Sequence, residues 1–326
     1  TKSPIMWLRD RYFGDIRTHA TTKVDIHIME GSRKLAPYVN PRSEGVVMDK
    51  DGKKAETYEP PLLKPKDYTS SQDILKSVSA GDTIYNSETP EVRAAKQLNR
   101  DLLRMDEAID RAEEVQARQA LFDGKIIIKG KGVDEEVDFG FTTAQKPVLT
   151  GAALWTAGTS DPLADIVKWK KIPGKAGGAV PTDIVMGADA FDAFMAHDSV
   201  KEAFDNRRIV EGNINYEELA PGVTYVGRLA RAGLDIFTYD DYYFDKDSGT
   251  DGEDVPMVPV DKVLLCTPNA DFRRHYGVIP EMPPIEAQRY VKSEEKFDPA
   301  AREVIIQSAP LCVPHQKNSI VVGKVV

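Results

Sequence analysis

Five histidines, two cysteines and one acid-rich stretch are the side chains of this 326-residue chain best suited to metal binding or catalysis. Their spacing argues against both. His19, His27, His197, His275 and His315 lie far apart, with no pair at helical spacing and no Cys-x-x-Cys, so a zinc site is not expected. The acidic run from Asp240 to Asp254 fails as a calcium loop in both registers. Counted from Asp245, the sixth position is Thr250 and the twelfth Pro256. Counted from Asp247, the sixth is Gly252, as the turn requires, but the twelfth is Val258 and offers no bidentate carboxylate. The expected reading is a solvated loop joining two strands.

Other candidates fail on context. Gly130-Lys131-Gly132 and Gly177-Gly178 lack the strand-to-helix setting that cradles a phosphate, and no Gly-x-Ser-x-Gly elbow is present. Arg207-Arg208 and Arg273-Arg274-His275 carry charge that suits phosphate, but isolated basic pairs more often meet carboxylates or face water. Residues 180–290 hold no convergent set of ionisable groups of the kind a soluble α+β hydrolase needs. No catalytic, cofactor-binding or metal-ligating residue is therefore expected. Cys266 and Cys312 sit in the apolar runs VLLC and APLCV and read as buried thiols, though counting alone leaves a disulfide open.

The elements around these residues are more informative. Thr89 stands where an N-cap belongs, Pro90 at the first helical position and Glu91 in the first turn. Val92, Ala95, Leu98, Leu102, Met105, Ile109, Ala112 and Val115 then recur every three or four residues, up to a stop at Asp123-Gly124. This predicts one helix over residues 90–122, a charged rod roughly 50 Å long with a single apolar stripe. Glu107–Arg111 and Glu114–Arg118 have the favourable i,i+4 orientation and read as helix support.

Before the rod, residues 1–35 show scattered apolar groups (Trp7, Leu8, Phe13) without a sustained period, an arm expected to become ordered against something else. Residues 23–29 alternate as a half-exposed strand. Glu44 to Tyr58 reads as a hairpin of Val46-Val47-Met48, an Asp51-Gly52 turn and Ala55 to Tyr58, marginal alone in water. After the rod, residues 125–129 and 136–141 predict a second hairpin around a Gly130–Asp134 connection. Asp161-Pro162 opens a helix through Trp169. Residues 183–186, 223–229, 234–239, 260–266, 303–307 and 319–326 read as strands, and 188–204 as one helix.

Hydrophobic content of 41% and charged content of 29% are those of a globular chain. A net charge of -9 argues against a general nucleic-acid-binding face. No apolar run approaches the roughly 20 residues that cross a bilayer.

One segment carries a resemblance. DPAAREVIIQSAPLCVPH (298–315) closely resembles the C-terminal strand region of the lambda-type tailed-phage major capsid protein family. LAPYVNPRSEG (35–45), KPK (64–66), LFDGKIIIKG with EVDFGF (121–141) and RRHYGVIPE (273–281) are similar to further segments of that family, in the same order. The resemblance implies an α+β chain with the Hong Kong 97 capsid fold. Its parts would be an N-terminal arm at 1–30, an extended loop at 31–76 and a peripheral domain with the spine helix at 77–150. An axial domain at 151–294 would follow, then return strands to the peripheral domain at 295–326, of which those in 303–326 would pair with the 125–141 hairpin.

It implies a structural, non-enzymatic role: self-assembly into hexamers and pentamers of an icosahedral head that encloses double-stranded DNA without reading its sequence. Scaffold, portal and decoration proteins would be partners, with no membrane and no cofactor. The protein would be found in the virion, after assembly in the host cytoplasm. Assembly contacts would come from the loop (Val46, Val47, Asp51, Gly52, Tyr58), the spine stripe (Leu98, Leu102, Met105, Ile109) and the arm (Trp7, Leu8, Phe13). A bacterial nanocompartment shell of the same fold is the alternative, followed by the hydrolase.

Overall fold

Strands such as DIVM at 183–186 and KVLLC at 262–266 have no polar face, so they must be covered on both sides. In the computed structural model they form the centre of a six-stranded sheet. The structure describes residues 6–30, 52–72, 89–204, 212–220, 222–245, 252–296 and 300–326, with isolated positions between 36 and 47. The sheet order is Val321–Lys324, Lys262–Cys266, Asp183–Met186, Leu234–Tyr239, Val223–Leu229 and Gly212–Ala220. Asp183–Met186 and Leu234–Tyr239 run parallel, and the other neighbours are antiparallel.

Alternate residues divide this sheet between two cores. Ile184, Met186, Ile236, Val263, Leu265 and Val321 face one core, with Leu163, Ile166 and Trp169 of the helix Pro162–Lys175 and Phe194 of Ala188–Ala196. Val185, Phe237, Leu264, Cys266 and Val322 face the other. That second core also takes Ala117, Ala120, Leu121 and Phe122 from the end of the long helix, and Leu8, Tyr12 and Phe13 from the chain's beginning. Gly323 lets Trp169 lie flat on the edge strand, since a Cβ there would come within 2.5 Å of the indole.

The long helix runs Pro90–Arg118, 29 residues, and continues as a wider π turn over Gln119–Asp123. Thr89 occupies the N-cap position without a side-chain cap bond, and Gly124 ends the rod in the left-handed conformation at φ 65°. Met105 and Ile109, with Leu98 and Leu102 beside them, pack on Val304 and Ile306 of the strand Ala301–Gln307. That strand lies between Tyr290–Lys296 and Lys66–Ser70 in a separate three-stranded sheet.

Several expectations change. Gly52–Tyr58 pairs with Val24–Glu30 along a ladder of seven residues, Tyr58 opposite Val24 and Gly52 opposite Glu30; Val46, Met48 and Asp51 of the expected 44–58 hairpin lie outside the described residues. The return strands do not pair with Lys125–Gly130 and Val133–Asp138, which form a two-stranded sheet of their own about Lys131 and Gly132. The acid-rich VDEEVD edge is largely exposed, while Pro310–Pro314 is buried throughout and needs a covered sheet. Pro310–Pro314 joins Phe272–Tyr276, and Val321–Lys324 joins Lys262–Cys266.

The single helix expected over 188–204 is two, Ala188–Ala196 and Asp198–Phe204. His197 is extended between them, and its carbonyl accepts from the amides of Val200 and Lys201 to start the second helix. The helix opened by Asp161 continues past Trp169 to Lys175, with the Asp161 side chain accepting from Ala164.

The buried stripe sets a stability expectation. Ile109→Ala should lower the unfolding free energy of the isolated subunit in urea by about 2–4 kcal/mol. Val92→Ala, at a stripe position that is 44% exposed, should change it by less than about 0.5 kcal/mol. Equal effects would contradict the packing described.

Candidate functional site

A six-residue helix is too short to persist alone, and Trp7–Tyr12 lacks a capping side chain at its own N-cap, Met6. The long helix supplies the cap instead. Glu114 accepts from the amides of Leu8 (2.9 Å) and Arg9 (2.8 Å), two of the donors a helix start leaves unsatisfied. A buried carboxyl of the long helix thus caps the helix of the arm.

Beside it lies a balanced cluster of carboxylates and guanidiniums. Asp106, Asp110 and Glu113 recur at i, i+4 and i+7 on the long helix. Arg9 reaches Asp110 (2.6 Å) and Glu113 (2.9 Å). Arg289 spans Asp106 (2.6 Å), Asp110 (2.6 Å) and Glu113 (3.1 Å). Arg274 lies 3.7 Å from Glu113, and the Tyr276 hydroxyl donates to it at 3.2 Å. Glu113 is fully buried. Four separate segments therefore meet on one carboxylate: the arm, the long helix, the strand Phe272–Tyr276 and the approach to Tyr290–Lys296.

Burial sets the protonation of the two central acids. It raises Glu113 above the ordinary carboxylate range, opposed by Arg289, Arg9 and Arg274. Glu114, also fully buried, has no arginine of its own; burial pushes it up to about 7 against the pull of the Arg9 and Leu8 amides. A second anchor lies twelve residues into the chain. Arg11 pairs with Asp183 at 2.7 Å and stands over the Phe237 ring at 4.5 Å, while the Tyr12 hydroxyl donates to Asp183.

In this arrangement acids pair with bases across segments and fasten those segments together. Among the described residues no group of three or more histidine, cysteine or acidic side chains could hold a metal ion. Tyr242–Asp245 and Glu253–Pro256 pair as a small hairpin inside the stretch tested as a calcium loop. Arg207 and Arg208 lie outside the described residues. Arg273 and Arg274 meet carboxylates, Arg273 with Asp15 (3.1 Å) and Asp271 (2.7 Å). Cys266 and Cys312 are buried free thiols, and burial raises both well above the usual thiol range.

With this geometry in view, the profile of a family described as phage major capsid protein E matches residues 2–325. The chain belongs to that family. The major capsid protein of Escherichia phage lambda is 26% identical over 315 residues, covering 92% of this chain and 88% of the relative. That of Enterobacteria phage P21 is 26% identical over 322 residues, covering 94% and 90%. The crystal structure of a putative prophage capsid protein from E. coli CFT073 superposes with a TM-score of 0.73 at 20% identity, over 99% of this chain and 93% of that one. The fold is the α+β capsid fold of the Hong Kong 97 type, and the capsid family is structural rather than enzymatic, which removes the hydrolase.

The expected contact residues of this capsid protein fall into three places. Leu98, Leu102, Met105 and Ile109 form the stripe against Val304 and Ile306. Trp7, Leu8 and Phe13 pack within the subunit's own core: Leu8 and Phe13 are fully buried, and Trp7 lies 5.1 Å from Phe237. The aromatic content of the arm and the Glu114 cap hold it down. Of the loop residues, Val46 and Asp51 lie outside the described residues and Val47 is 92% exposed. Gly52 begins the strand Gly52–Tyr58, and Tyr58 packs against Phe139.

Sequence reasoning does not find the cluster of Asp106, Asp110 and Glu113 with Arg9, Arg274 and Arg289. Glu114–Arg118 is not the pair; Glu114 binds the arm, and Arg118 pairs with Asp123 at 3.2 Å. The available signal was Asp106 and Asp110, like charges at i,i+4 that need bases from another segment.

Glu114 yields a pH expectation. Its carboxyl titrates near 4.5 in the unfolded chain and near 7 when docked, so the folded state holds the extra proton between those values. Stability from this group therefore falls as pH rises through that interval. Urea unfolding should show the wild type and Glu114→Gln shifting by about 3 kcal/mol in favour of the variant between about pH 4.5 and 8. A gap constant with pH would contradict this.

Proposed function

We propose that this capsid protein assembles into hexamers and pentamers of an icosahedral head that encloses the double-stranded DNA of a tailed phage. The observation that carries the reading is the hairpin Val24–Glu30 with Gly52–Tyr58. Among the described residues its strands pair only with each other, and the apolar side chains of Tyr38 and Val47 between them are almost fully exposed. Exposed apolar groups and unpaired strand edges of this kind gain apolar contact and strand pairing from neighbours. A closed symmetric shell then multiplies modest interfaces.

In this reading residues 1–30 are the N-terminal arm, 31–76 the extended loop, 77–150 the peripheral domain with its spine helix, 151–294 the axial domain and 295–326 the return strands. The burial of Trp7, Leu8 and Phe13 supports giving the reach to neighbours to the loop rather than to the arm. Scaffold, portal and decoration proteins are the partners expected during assembly in the host cytoplasm, and the virion is the destination. The net charge of -9 supports a container whose wall does not hold DNA tightly.

Negative-stain microscopy of the expressed full chain should show closed particles of uniform size. A small monodisperse oligomer indifferent to concentration would overturn the reading. The double variant Leu102→Ala with Ile109→Ala should give few closed particles because the spine loses its seat on the 301–307 strand; normal particles would refute the role given to the helix.

A further inference from the structure

Three of the five histidines, 256 and 40 residues apart in sequence, meet in space. His19 Nε2 lies 2.8 Å from His275 Nδ1, and His275 Nε2 lies 2.8 Å from His315 Nε2. Sequence spacing gave no sign of this. The central imidazole uses both nitrogens, so each contact needs one N–H and one lone pair.

We infer that His19, His275 and His315 form a latch that docks the strand Asp15–Thr18 at neutral pH and releases it when the array takes up a second extra proton. With all three rings neutral, His275 donates to one neighbour and accepts from the other, and both contacts are made. One extra proton is also accommodated: a cationic His315 donates to His275, which donates to a neutral His19, or the mirror arrangement holds. With two extra protons no arrangement works. If both outer rings are cationic, His275 must accept at both nitrogens, which a neutral ring cannot do. If His275 is one of the cations, its N–H faces that of the other. One 2.8 Å contact must then break.

The weaker end is His19. His275 and His315 are buried, whereas His19 is half-buried and follows an edge strand whose four residues, Asp15 to Thr18, are all exposed. No apolar side chain of that strand is buried, so the strand is held by its parallel pairing with Phe272–Tyr276, the His19 amide to the Tyr276 carbonyl (2.9 Å), Asp15 to Arg273, Thr18 to Glu286, and the latch.

The charges facing the array oppose protonation. Burial and then His315, His19, Arg273 and Arg17 push His275 down to about 3. Burial lowers His19, with Arg17 adding and Glu286 opposing; Glu286 itself accepts from the Thr18 hydroxyl at 2.9 Å. Arg274, on the same strand, is turned toward Glu113 and Asp10. A free histidine titrates near 6.5 and the docked His19 and His275 lower, so the undocked strand binds more protons as pH falls. Docking is complete above about pH 6.5 and declines below it.

Hydrogen exchange of the full-length protein, corrected for intrinsic rates, tests this. Protection of the amides of residues 15–19 should fall at least about tenfold between neutral pH and about pH 5, while that of 183–186 holds. In His19→Gln, whose side chain still bonds but does not titrate, the protection of 15–19 should be flat with pH, even if its neutral value is lower. Glu286→Gln should keep the acid-dependent loss. The proposal is overturned if wild-type protection does not change, if His19→Gln retains the pH dependence, or if Glu286→Gln abolishes it.

Discussion

Two adjacent glutamates on the long helix, each fully buried, are the constraint from which much of this subunit's architecture follows. A buried carboxylate must find partners, and these two find them in different ways. Glu113 draws three guanidiniums and a phenol, so segments from four parts of the chain are brought to one point. Glu114 draws backbone amides and thereby begins a helix that could not begin alone. Breaking a buried network of this kind leaves uncompensated charge and costs more than the net worth of the pairs. The cluster therefore fixes where each segment lies as much as how firmly.

With the arm seated, the rest of the core closes. Leu8, Tyr12 and Phe13 complete the apolar layer over the six-stranded sheet, and Arg11 ties that layer to Asp183 at the sheet's centre. The far end of the helix is fastened separately, where Asp123 takes Arg118 and Lys262 and its carbonyl accepts from Lys146. The helix is thus pinned at its C-terminal end, while further back Leu98, Leu102, Met105 and Ile109 rest on Val304 and Ile306, and Asp101 and Arg104 meet Thr69 and Asp67.

The sequence made some of this legible and not the rest, for physical reasons. The helix, its Gly124 stop and the doubly covered strands at 183–186 and 234–239 are written in local periodicity and composition, and both were readable. Pairing partners were not: residues 23–29 and 55–58 read as strands, but only tertiary packing decides that 24–30 and 52–58 pair with each other. The arm looked unpartnered because its apolar residues have no period of their own; their spacing fits a surface made by other segments. Glu114 reads as helix support with Arg118, and the burial of Glu113 is not legible, because the partners of both, the arm amides and Arg9, Arg274 and Arg289, are distant in sequence.

The measurement that bears most directly on this account is a double-mutant cycle between Arg9 and Glu113, read by urea unfolding of the subunit at neutral pH. If the buried acid of the helix holds the arm, the coupling between Arg9→Ala and Glu113→Ala should be about 2 kcal/mol or more. Additive effects, with coupling below about 0.5 kcal/mol, would show that the arm is held by apolar burial alone.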